Sequence, residues 1–117
     1  MFDDTVLIGS SDSESNVIDC EFRLILGVET GTFGEASSDY VTGAVTFKAA
    51  EKVDGTYKPV YDNGTLLVLP IAANTICLLD DVAALLGCRF IKVVTATTAG
   101  VASPQASDTT MRLITRA

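Results

Sequence analysis

Short apolar runs alternate along this chain with clusters of Gly, Ser, Asp and Asn, the punctuation of strands and turns. The pattern is densest between Ala44 and Val94: a strand, an Asp54-Gly55 turn, a second strand, an Asn63-Gly64 turn, then more strands. Asp-Gly and Asn-Gly supply the positive φ that tight hairpins require. Thr5–Ile8 reads as a first strand and 10–15 as a loop. From Ile18 to Val28 every second residue is apolar (Ile18, Cys20, Phe22, Leu24, Leu26, Val28), which predicts one half-buried strand with a bend near Glu21. A loop follows over 30–39, then a strand over Val41–Ala49 with Val45 and Phe47 on one side and Thr46 and Lys48 on the other. Tyr57–Tyr61 is the next strand. Pro59 has no N–H to donate, so this strand lies at an edge or is bulged. Thr65–Leu69 and Thr75–Leu79 are apolar enough to be buried on both faces, or nearly so. Asp80 to Gly87 carries the one helical signal, capped by Asp80 or Asp81 and ended by Gly87, about two turns long at most. Arg89–Thr95, a small-residue loop over 97–108 and a closing strand, Met111–Thr115, complete the chain.

These elements predict an all-β fold, an antiparallel β-sandwich or jelly roll with one short helical turn. Residues 1–15 are expected to form an N-terminal arm or a first edge strand, and 16–117 a single sandwich domain. A chain of 117 residues can bury a core without disulfide staples. Its three cysteines, Cys20, Cys77 and Cys88, match no metal spacing and read as reduced, partly buried thiols, a Cys77–Cys88 bridge being the alternative.

Charge adds one feature. Residues 1–40 hold nine of the fifteen acids against Arg23 alone, so the net charge of −7 resides in the first third. Such a segment repels phosphate backbones, and no nucleic-acid partner is expected; it suits either solubility or docking onto a basic protein surface. No signal peptide is visible and no apolar run reaches the length of a membrane span, so the chain is expected to fold in cytoplasm and to have no membrane partner.

Candidate chemistry is sparse. The chain has no His, which removes the commonest general base and any Ser-His-Asp or Cys-His arrangement. Asp3-Asp4 and Asp80-Asp81 read as a solvated tail and a helix cap. Asp62-Asn63-Gly64 reads as a turn rather than a calcium loop. No glycine-rich phosphate loop is present. The expectation is a non-enzyme with no catalytic residue, cofactor or metal. Tyr57 and Tyr61, four apart on one strand, pack with cross-strand neighbours or, as the rival reading, stack on a sugar.

Several segments together carry a resemblance. They are Val45-Thr-Phe47-Lys48-Ala49, Asp54-Gly55-Thr-Tyr57-Lys-Pro-Val-Tyr61-Asp62, the Leu-Asp80 turn, Ala84 to Val93 through Gly87-Cys-Arg89-Phe90-Ile-Lys92, the loop with Pro104-Gln105, and the final Thr-Met-Arg-Leu-Ile-Thr-Arg strand. From Val17 onward the chain resembles a group of small virion proteins of tailed bacteriophages. It departs from them at Ala49-Ala50-Glu51-Lys52-Val53, where extra length stands at the start of the hairpin. The resemblance implies a virion structural role in particles assembled in the host cytoplasm, most specifically a decoration or cement protein that binds the major capsid protein and stabilises the head. Its partners would be that protein or other virion proteins, with a dimer or trimer of the chain itself. The alternatives are a tail, baseplate or head-fibre component, or a carbohydrate-binding adhesion module. The residues expected to make contact, chosen for exposure and flexibility, are Phe2, Asp3 and Asp4 in the arm, Phe33 and Tyr40 around the acidic loop, and Pro104 and Gln105 in the late loop.

Overall fold

The computed structural model describes residues 4–21, 23–30, 43–72, 75–81, 83–105 and 108–116. Within them run β1 (Thr5–Ile8), β2 (Ile18–Asp19), β3 (Leu24–Thr30), β4 (Ala44–Ala50), β5 (Lys58–Pro59), β6 (Tyr61–Asp62), β7 (Thr65–Leu66), β8 (Val68–Pro70), β9 (Ile76–Leu78), β10 (Phe90–Ala96) and β11 (Thr109–Arg116). All pairings among these strands are antiparallel. One sheet has the order β1-β11-β3-β9; the other runs β2-β10-β4-β5, with β8 also pairing to β4; β6 and β7 form a separate hairpin.

The sheets meet face to face. Val6, Ile8, Ile25, Val28, Met111 and Leu113 from the first sheet join Ile18, Val45, Phe47, Leu69, Ile91 and Val93 from the second in one buried cluster. Alternation explains the choice: in β4, Val45 and Phe47 turn inward, and their partners in β10 are Thr95 and Val93. The fold is therefore all-β, as the strand and turn grammar predicts, and of the sandwich class.

Three local expectations are corrected. The predicted strand from Ile18 to Val28 is two strands. Arg23 N donates to Cys20 O (2.7 Å), closing a turn between β2 and β3. A further register shift between Ile114 and Thr115 marks a bulge in β3 at Leu26. Each irregularity changes which side a residue faces, so Ile25 and Val28 are buried while Leu24 and Leu26 are only half-buried. Phe22 lies outside the described residues.

Asn63 and Gly64 do take positive φ, 52° and 79°, and make the two-residue turn of the β6–β7 hairpin. Asp54-Gly55 does not, since neither is among the positive-φ residues. Gly55 N instead donates to Lys52 O (3.0 Å), an ordinary turn within the longer 51–57 connection. A connection of this length has no need of a tight hairpin there. Pro59 sits in β5, which among the described residues pairs only with β4 and so is an edge, where its missing N–H costs nothing.

The expected helical turn is a series of i,i+3 turns. Ala84 N donates to Asp81 O (3.1 Å), Leu86 N to Ala83 O (3.1 Å) and Cys88 N to Leu85 O (3.0 Å), while Asp81 Oδ1 accepts from Ala83 N (2.9 Å). Leu85 is driven fully into the core by this path. All three cysteines are free. Burial pushes the Cys20 thiol up to about 12, so it stays protonated and unreactive.

On the outer face of the second sheet, Lys48 and Lys92 stand directly opposite one another. Like charges in that position repel. Glu14 lies between them, 2.5 Å from Lys48 Nζ and 3.5 Å from Lys92 Nζ. The hydrogen bond from Lys48 holds the Glu14 carboxyl below its ordinary value of 4.5. A depressed folded-state pKa contributes stability that is present above pH 4.5 and is lost as pH falls through the lowered value. Glu14 is partly exposed, so solvent screening limits its contribution to about 0.5 kcal/mol. Glu14→Gln is expected to lower urea stability by that amount at pH 7. The wild-type and variant curves should converge on acidification; parallel curves down to acid pH would contradict this.

Candidate interaction surface

Of the residues expected to make contact, Phe2, Asp3, Phe33 and Tyr40 lie outside the described residues. Pro104 is exposed. Asp4 is not a free arm residue. Its Oδ1 and Oδ2 accept from Arg23 Nη1 (2.8 and 2.9 Å), and Thr115 Oγ1 donates to Oδ2 (3.0 Å). Arg23 Nη2 also donates to Asp19 O (2.7 Å). Four segments are thereby joined: the start of β1, the end of β2, the turn before β3, and β11. Two and four residues further on, Val6 and Ile8 are core residues of a strand paired to β11.

Gln105 is the clearest reversal. It is 1% exposed. Gln105 N donates to Asp12 O (2.9 Å), its carbonyl accepts from Ser11 N (2.8 Å), and Thr109 Oγ1 donates to its Oε1 (3.2 Å). A polar residue in a small-residue loop looks available in sequence; here it clamps the loop after β1 against the entry to β11.

The exposed apolar surface lies elsewhere. Thr75–Leu79 is not buried on both faces: Ile76 and Leu78 are each 59% exposed. Among the described residues their strand, β9, is the last of the first sheet and pairs only with β3. The hydrogen-bond phase follows from two bonds, Thr30 N to Thr75 O (2.9 Å) and Leu79 N to Leu26 O (2.8 Å). Residues 75, 77 and 79 thus aim their backbone groups at β3. In an antiparallel ladder this alternates, so the N–H and C=O of Ile76 and Leu78 point away from the sheet. Thr75–Leu79 contains no Lys, Pro or acid to blunt that edge.

Beside the edge lies an open cleft of about 370 Å³ between β9 and the 62–70 segment. Leu66, Leu67, Leu69 and Leu78 line it together with Asp62, Asp80 and Asp81. No basic residue lines the cleft, and none of the ion pairs among the described residues uses these three carboxylates. Nor do they form a group that could share a metal ion. Sequence reasoning missed this surface because a continuous apolar run reads alike for a buried strand and an exposed edge; the adjacent acidic pair was the available hint.

Tyr57 and Tyr61 do not make a stacking platform. Tyr57 Oη donates to Val53 O (2.8 Å), and Lys92 Nζ sits 4.7 Å from the centre of its ring. Tyr61 is 61% exposed. β5 ends at Pro59 and β6 begins at Tyr61, so the two rings do not share one regular strand.

Comparison of the chain with protein-family models, with curated proteins and with solved structures finds no match in any of the three.

Proposed function

We propose that this chain is a non-catalytic virion structural protein that decorates the head, binding the major capsid protein and stiffening the shell. The observation that carries the reading is the unblunted edge of β9: a stiff sandwich presenting backbone groups unpaired among the described residues, with two exposed apolar side chains, is built to adhere. The phage-like segments of the sequence supply the setting. The lack of His throughout the chain also favours adhesion over turnover. A protein partner suits the surface better than a sugar, because Tyr57 is already engaged by Lys92 and Val53.

A cement role requires a contact of roughly 1,200–2,000 Å² in total, more than one short edge, so neighbouring surface must take part. The expected result is that purified protein co-sediments with heads assembled without it and raises the temperature at which they rupture. Sedimentation with isolated tails but not heads would move it to a tail or baseplate position. No sedimentation with either would end the structural reading.

A further inference from the structure

The cleft beside β9 is the feature with the most unused binding capacity. Its apolar floor is open and, among the described residues, its three carboxylates have no ion-pair partner and the outward backbone groups of one wall, β9, have no strand beside them. We propose that it receives an extended segment of a partner protein as an added strand on β9, and that this segment carries a Lys or Arg on the N-terminal side of two alternating apolar residues. This deepens, and rests on, the reading of the chain as a binder of virion proteins.

Register sets the pattern. Every pairing among the described strands is antiparallel, and an antiparallel guest exchanges both hydrogen bonds with Ile76 and with Leu78, the two residues whose groups face outward. Guest residues opposite Leu78 and Ile76 lie two apart and flank two exposed apolar side chains. The position two residues earlier in the guest falls opposite Asp80. Asp81 and Asp62 line the same cleft. A base there faces Asp80 in a cleft that Asp62 and Asp81 also make acidic; an acid there is repelled. The order is therefore base, spacer, apolar, spacer, apolar. The charge-free edge explains the backbone half of the recognition, and the acidic rim chooses among guests.

The test uses two synthetic peptides of alternating Val and Thr, one with Lys at its N-terminal end and one with Glu there, titrated calorimetrically into the full chain. The Lys peptide is expected to bind at least about tenfold tighter, a preference that shrinks as salt rises. The double variant Asp62→Lys with Asp80→Lys should reverse the preference. Ile76→Pro removes only an outward N–H, so the β3 pairing survives and peptide binding falls. Equal binding of both peptides, or full binding by Ile76→Pro, overturns the proposal. So does a dimer of the wild type that Ile76→Pro dissolves, because a second copy would then own the edge. If wild-type protein and Ile76→Pro both decorate heads equally, the cleft is not the contact while the capsid role stands. If neither does, but the Lys peptide binds as described, the capsid role falls and the cleft remains a peptide site.

Discussion

Arg23→Met is expected to lower the stability of this protein by about 3 kcal/mol, because it leaves the Asp4 carboxylate in a largely buried site without its cation. For a chain of this length that is a fall in Tm of roughly 10 °C. The size comes from what remains, not from what is removed. Arg23 is 7% exposed and forms both hydrogen bonds to one carboxylate. Without it, only Thr115 Oγ1 is left as a described side-chain donor to Asp4. The same argument gives the control. Asp4→Asn combined with Arg23→Met removes both charges and should recover more than half of the loss, since replacing a buried pair is far cheaper than orphaning one partner. Thermal and urea unfolding of the two single variants and the double form the cycle. A single variant that unfolds within about 2 °C of wild type would show that water reaches Asp4 freely.

Gly27→Ala is expected to be as damaging, by a different route. A Cβ built at Gly27 falls 2.0 Å from Cys77 O and 2.8 Å from Leu78 Cα, both backbone atoms of β9. No rotamer relieves a clash with backbone. β9 must move off β3, and with it goes the cover that Leu79 gives the core. A loss of about 3 kcal/mol or more is expected from this overpacking and unzipping. The amides of Thr30 and Leu79, which bond across this pair, should exchange with solvent much faster. Gly87→Ala is the matched control: a Cβ there meets nothing within 4 Å and φ is not positive, so stability should change by less than about 0.5 kcal/mol. Equal Tm values for the two variants would show that β9 is not held against Gly27. Because β9 carries the proposed guest edge, Gly27→Ala should also weaken peptide binding at temperatures where the rest of the sandwich persists.

Gly27 also shows where reading a sequence stops. In the chain it is one small residue in an apolar strand, and its role appears only when β9, fifty residues away, comes to lie beside it. Leu26 and the bulge are similar: alternation over Ile18 to Val28 is regular in sequence, yet the turn at Cys20–Arg23 and the register shift against β11 reassign its faces. Gln105 looked like an exposed loop residue because its partners, Ser11, Asp12 and Thr109, come from both ends of the chain.

What the sequence determined by itself was local. A short apolar run defined Thr5–Ile8, and period-two alternation put Val45 and Phe47 on one side of their strand. Asn63-Gly64 set a tight hairpin because few other residue pairs accept two positive φ angles. Pro59 restricted its strand to an edge or a bulge because it lacks a donor. Together these specified an all-β protein. The tertiary structure alone decided which apolar strand ends a sheet, which charged residues are enclosed, and which acids share a cleft. Those are questions of which distant segments become neighbours, and burial and hydrogen-bond partnership exist only after that assembly. Ile76 and Leu78 are apolar in either setting; their exposure is a property of position in the sheet, not of residue type.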